Sequence, residues 1–190
     1  RDAQSLANAR KLDGQWVSEE RIQALAGLIA EYVPAPRLGI CHGTRRGNEQ
    51  RWFARHLPGT PKVIGTEIAD TAKSFPDTIQ WDFHDTNPDW SRKADFVYSN
   101  SWDHAYDPQK AFSAWIDSLR AGESWCLTFR RDTTLKRLRK WIPSARAARR
   151  FPHCSTGGSP IWAASRSRAP AVCTATRRSK QLCFVATIER

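Results

Sequence analysis

Residues 38–53 read LGICHGTRRGNEQRWF, an apolar run set against a turn with two glycines and then a helix-like start. Leu38 to Cys41 is an apolar run of the right length for a short buried strand. Gly43 and Gly47 suit a sharp turn in which the backbone comes close to another group. Asn48 and Glu49 are residue types favoured at a helix start, and Trp52, Phe53 and Leu57 then recur at helical spacing. Strand, glycine turn and helix form a unit that aims backbone N–H groups at a nucleotide or a carboxylate. A bare G-x-x-x-G is common, so the stretch is equally compatible with a tight turn that binds nothing. The rest of the chain must decide.

Upstream, Ile22, Leu25, Leu28, Ile29, Tyr32 and Val33 share one helical face, Ser18 stands at the capping position and Pro34 stops the helix. Downstream, Lys62–Glu67, Thr78–Asp82 and Ala94–Ser99 read as three further strands. Asp107-Pro108 opens a helix with a core face of Ala111, Phe112, Trp115, Ile116 and Leu119, closed by Gly122. The segment between Glu67 and Asp82 is too short for a full crossover helix, so that connection should be degenerate. Strands alternating with helices predict an α/β fold: a Rossmann-like, doubly wound, mostly parallel sheet with flanking helices.

After Gly122 the pattern changes. Residues 124–129 suit a fifth strand and 135–142 one or two helical turns, but 143–178 has no sustained period and is crowded with Ser, Arg, Ala, Pro, Cys and Thr. Charge divides at the same place. Residues 1–122 hold 15 Lys+Arg and 16 Asp+Glu, a balance of −1, whereas 123–190 hold 15 and 3, a balance of +12. Four of the five cysteines also lie beyond residue 122. A basic nucleic-acid-binding tail and a disordered extension are two readings. A third fits better: a GC-rich coding region read in a shifted frame, returning to frame at the strand-like QLCFVATIER. The expected organisation is a core at 18–129, a basic irregular segment at 130–180 that leaves the C-terminal third incomplete or disordered, and a terminal strand within 181–190.

The odd cysteine count without C-x-x-C argues against a disulfide framework and a zinc site. No apolar stretch reaches membrane-spanning length and no signal-peptide pattern opens the chain, so a cytoplasmic protein is expected. The chain starts at Arg1 and contains no methionine, which points to a missing N-terminal piece.

In open α/β sheets, ligands bind at the carboxyl ends of the strands, near the switch in strand order. The first strand ends in the glycine turn. The second ends in Glu67, whose carboxylate can accept both hydroxyls of a ribose and is expected to face an open cleft. The third ends in Asp82-Phe83, an acceptor for an exocyclic amine beside a ring that can lie against a base. The fourth ends in Ser99-Asn100-Ser101. Each acid alone is more often a helix cap or a solvated group; their order and spacing together carry the weight.

With these residues in place, the sequence resembles the class I S-adenosylmethionine-dependent methyltransferases, especially the small type 11-like group, over about residues 18–129. Cys41-His42-Gly43-Thr44-Arg45-Arg46-Gly47 is similar to the family's first motif, an acid, an apolar residue and G-x-G-x-G. It keeps the outer glycines, has Arg45 for the middle one, and has Cys41 where the acid usually sits. Residues 94–108 look like the fourth motif, and Leu119-Arg-Ala-Gly122 is similar to the turn before strand five. The resemblance implies S-adenosylmethionine as cofactor, a small-molecule methyl acceptor, and a cofactor site of His42, Gly43, Thr44, Gly47, Glu67, Asp82, Phe83 and Ser99. Without the motif-one acid, His42 or backbone carbonyls would have to hold the methionine amino group.

Methyl transfer asks the protein for alignment and water exclusion, so no catalytic triad is expected and no catalytic residue is assigned. His42 reads as a turn histidine, and His84, Asp85, Asp103 and His104 as exposed loop groups without a convincing third metal ligand. The nine tryptophans, Trp16, Trp52, Trp81, Trp90, Trp102 and Trp115 among them, read mostly as core or pocket wall. Two other functions compete. A nicotinamide-dependent oxidoreductase would want G-x-G-x-x-G and leaves Asp82-Phe83 unexplained. A non-catalytic nucleic-acid-binding protein rests only on the charge of 123–190.

Overall fold

The computed structural model describes residues 14–130 and four strand segments, 148–150, 162–164, 171–174 and 181–187, with side chains over 14–120. Helix α1 (Glu19–Tyr32) leads into β1 (Leu38–His42), followed by α2 (Asn48–His56), β2 (Lys62–Glu67), a 3-10 turn (Asp70–Ser74) and β3 (Thr78–Gln80). Then come β4 (Ala94–Ser99), a 3-10 turn (Trp102–His104), α3 (Pro108–Ser118) and β5 (Leu119–Arg130). The later strands are β6 (Ala148–Arg150), β7 (Trp162–Ala164), β8 (Ala171–Thr174) and β9 (Gln181–Thr187).

The expected Rossmann-like sheet is present. Its order is β3-β2-β1-β4-β5-β9-β8-β7-β6, with parallel pairing from β3 to β5. Beyond β5 the pairing is antiparallel, beginning with β9. Strand order reverses between β1 and β4. The link from β2 to β3 is the short 3-10 turn, as the spacing required. Of the segment expected to be irregular, 148–150, 162–164 and 171–174 are strand, while the helical turns expected over 135–142 lie outside the described residues.

The core between helices and sheet gathers Ile22, Leu25, Ala26 and Ile29 of α1, Trp52 and Phe53 of α2, and Cys41, Val63, Phe96 and Tyr98 of the sheet. Full burial of a side chain such as Phe53 contributes about 1.5–3 kcal/mol. On β4, Phe96 and Tyr98 alternate with Val97 and Ser99, as a strand covered on both faces requires. At the amino edge, Asp95 Oδ2 accepts from the backbone N–H groups of Arg37 (2.6 Å) and Leu38 (2.8 Å), and Arg120 lies 3.1 Å from its other oxygen. That carboxylate fixes where β1 begins relative to β4.

Several boundaries differ from expectation. Tyr32 is 41% exposed and Ala26 takes a place on the buried face of α1. Helix α3 stops at Ser118 because Leu119 pairs with Ala94 and enters β5, so Leu119 is a strand residue and Gly122 lies inside that strand. Ile116 faces outward at 36% exposure. Strand β3 ends at Gln80, which places Asp82 and Phe83 in the following loop.

Candidate functional site

The carboxyl ends of β1, β2 and β4, with the loop after β3, bring the expected site residues to one edge of the sheet. The glycine turn is more self-contained than its sequence implies. The N–H groups of Gly43 and Thr44 both donate to Thr66 O, at 2.8 and 3.1 Å, and those of Arg46 and Gly47 donate to Thr44 O. These four amides are used inside the fold. The first-turn amides of α2 have no partner within the helix backbone, and that of Glu49 meets its own carboxylate.

Gly43 and Gly47 both have positive φ, 72° and 73°, and Arg45 joins them at 51°. A Cβ on Gly43 would sit 2.7 Å from the Ser101 Cβ. Ser101 earns that proximity: its hydroxyl donates to Gly43 O at 3.0 Å, while Ser99 Oγ donates to His42 O at 3.1 Å and accepts from Ser101 N. The serines after β4 therefore hold the turn after β1 from the neighbouring strand. Ser99 is fully buried.

His42 is buried at 3% exposure, with Nδ1 2.9 Å from Thr66 Oγ1. Its ring stacks on Trp115 at 5.1 Å and meets the edge of Phe83 at 6.1 Å. Burial pulls its titration down to about 3, so the imidazole is neutral. Nε2 is buried without a hydrogen-bond partner, as is Thr44 Oγ1.

Glu67 is only 1% exposed, and Oε1 accepts from Ala69 N at 3.0 Å. The expectation of an open cleft around it fails. Its backbone belongs to a central run of the sheet, and the 3-10 turn folds back over the strand end.

Asp82 is likewise buried. Its Oδ1 accepts from both the His84 backbone N–H (3.1 Å) and His84 Nδ1 (2.6 Å), and its Oδ2 from Tyr106 Oη at 3.4 Å. His84 is thus not an exposed loop group. Donating through Nδ1 leaves Nε2 as an acceptor, and Asp107 N lies 3.4 Å from it. Tyr106, 61% exposed, stacks on the His84 ring at 3.7 Å. Asp103 and His104 do sit at the surface. Among the described residues no group of three or more His, Cys, Asp or Glu could hold a metal ion.

Sequence reasoning missed the parts played by His84 and Tyr106, and named Ser101 only as part of a strand end and Glu49 only as a helix-start residue. Asp82-Phe83-His84 offered a faint signal, an acid two residues from a histidine, which is the spacing of a turn that closes on its own side chain. Trp16, expected in the core or a pocket wall, is 63% exposed.

No family model matches the chain, and no curated protein does. Solved structures do. The N-methyltransferase NodS from Bradyrhizobium japonicum, in complex with S-adenosylhomocysteine, superposes with a TM-score of 0.62 at 12% identity, covering 98% of each chain. The Burkholderia thailandensis 1,6-didemethyltoxoflavin-N1-methyltransferase, with bound 1,6-didemethyltoxoflavin and S-adenosylhomocysteine, gives 0.61 at 10% identity, over 99% of this chain and 85% of that one. The [4+2]-cyclase SpnF gives 0.53 at 14% identity, over 70% of this chain and 59% of that one. The architecture is that of class I methyltransferases, and one neighbour with it is named for a different reaction.

Proposed function

We propose that this chain transfers a methyl group from S-adenosylmethionine to a small-molecule acceptor, in the cytoplasm. One observation carries the reading. The glycine turn, Glu67, the Asp82-Phe83 pair and Ser99 lie, in that chain order, at the carboxyl ends of β1, β2, β3 and β4, and the glycine turn and Ser99 flank the β1–β4 switch point. The similarity to two methyltransferases crystallised with the demethylated cofactor supports it. The neighbour that carries toxoflavin chemistry favours a small acceptor.

The residues present fit such a ligand. Buried polar atoms without partners, His42 Nε2, Thr44 Oγ1 and Glu49 Oε2, belong to residues of β1, the glycine turn and the start of α2. We assign Glu67 to the ribose hydroxyls and Asp82 Oδ2 to the exocyclic amine of the base, with Phe83 against its ring. His84 fixes the Asp82 carboxyl plane, and Ser99 and Ser101 fix the turn of Gly43, Thr44 and Gly47. When bound, S-adenosylmethionine supplies a methyl already activated on a sulfonium. The protein's task is to align that methyl with the acceptor and keep water out. The cofactor-binding core is residues 18–129.

Thermal unfolding tests this. S-Adenosylmethionine and S-adenosylhomocysteine should each raise the Tm, and nicotinamide dinucleotides should leave it unchanged. A rise with the dinucleotides and none with either sulfur ligand overturns the reading in favour of the oxidoreductase.

A further inference from the structure

Glu49 is the group the site does not explain. It lies in the first turn of α2, directly after the glycine turn, and is 7% exposed. Its Oε2 is buried without a hydrogen-bond partner. Its charge reaches Cys41, the β1 residue just before the turn, where burial and Glu49 together hold the thiol well above its ordinary titration.

The segment 14–17 crosses the same place. Gly14 O accepts from Arg45 Nη1 at 3.4 Å, Gln15 Oε1 accepts from Asn48 Nδ2 at 2.6 Å, and Gln15 Nε2 donates to Val17 O at 2.9 Å. Val17 is anchored in the core at 1% exposure. This strap connects both the glycine turn and the start of α2 to the residues ahead of α1.

A buried carboxylate lacking a full set of partners is costly. The helix N-terminus, Arg45 and the Gln15 amide offset part of that cost, yet burial still pushes the Glu49 carboxyl up to about 7. What Glu49 Oε2 lacks is a donor. We propose that Glu49 holds the α-ammonium of the cofactor's amino-acid moiety, supplying from helix α2 the carboxylate that Cys41 does not supply from β1. The assignment rests on the S-adenosylmethionine reading. It stands in place of the expectation that His42 or backbone carbonyls hold that group: the His42 ring is stacked on Trp115 and edged by Phe83, and it carries no negative charge to match an ammonium.

The test uses two probes, S-adenosylhomocysteine and 5′-methylthioadenosine, which lacks the amino-acid portion. Both are titrated calorimetrically into the wild-type chain, Glu49→Gln, Glu49→Asp and the double variant Cys41→Asp/Glu49→Gln, each checked for native circular dichroism. Glu49→Gln should weaken S-adenosylhomocysteine at least tenfold and leave methylthioadenosine unchanged. Glu49→Asp, which keeps the charge, should fall between, and the double variant should recover at least threefold. Equal weakening of both probes in Glu49→Gln, or no change in either, overturns the assignment, as does equal affinity of the wild type for the two. A wild-type chain that binds neither probe overturns the cofactor reading, and this assignment with it.

Discussion

His84 Nδ1 donates to Asp82 Oδ1 across 2.6 Å, with both side chains only 3% exposed. The same carboxylate oxygen accepts the His84 backbone N–H, so the acid and the histidine form a closed turn after β3. His84 also meets the backbone at the start of α3 through Asp107 N. One side chain thus ties the loop after β3 to the helix that follows β4.

That relationship predicts what Asp82→Asn does. An amide keeps the shape but loses the charge-assisted bond to the imidazole. Stability should fall by about 1.5–3 kcal/mol, the range for hydrogen bonds to a charged group. Urea denaturation measures it, and a midpoint equal to wild type would show that the pair carries no net stabilisation.

Glu67 separates two roles by variant. Glu67→Gln keeps an oxygen for Ala69 N and should preserve most of the stability, while weakening S-adenosylhomocysteine by about 1.5–3 kcal/mol. Glu67→Ala leaves that buried N–H without its acceptor and should also lower stability, by about 1–3 kcal/mol. If Glu67→Gln binds as tightly as wild type, the residue is structural only.

Stability should depend on pH through two buried groups acting in opposite directions. His42 titrates at about 3 in the fold, below its ordinary 6.5. Its contribution is therefore complete above pH 6.5 and lost as pH falls toward 3, by up to about 5 kcal/mol at about 1.4 kcal/mol per unit. Glu49 titrates at about 7 in the fold, above its ordinary 4.5. Its contribution is complete below pH 4.5 and lost as pH rises through 7, by up to about 3 kcal/mol. Glu49→Gln should therefore gain stability over wild type at pH 8 and not at pH 4. Parallel pH profiles for the two proteins above pH 6 would show that the carboxyl is not desolvated.

The sheet was legible because its strands are short apolar runs bounded by turns, and β1, β2 and β4 fall where those runs lie. The places of Glu67 and Ser99 at strand ends followed from that punctuation, while Asp82 falls past the end of β3. What could not be read was depth. An acid at a strand end looks alike in sequence whether it faces water or, like Glu67, is folded under a 3-10 turn. The His84–Asp82 bond and the grip of Ser101 on Gly43 depend on loops from different strands meeting in space. The α3–β5 junction was misplaced for a similar reason: Leu119 continues a helical pattern, and its pairing with Ala94 overrides it.

The last prediction concerns that grip. Gly43→Ala carries two penalties, a φ of +72° that side chains rarely adopt and a Cβ within 2.7 Å of the Ser101 Cβ. The backbone penalty alone is about 1–2 kcal/mol. Ser101→Gly removes the obstructing atom and the hydroxyl that bonds Gly43 O, so alone it should cost about 0.5–1.5 kcal/mol. In the double variant the collision is gone but the φ strain stays. Its loss should therefore be smaller than the sum of the single losses, by an interaction of about 0.5–3 kcal/mol, the span seen for residues in contact. Strict additivity in a denaturation cycle would mean that the turn relaxes away from Ser101 at no cost. The β4 serines would then not be what fixes the glycine turn.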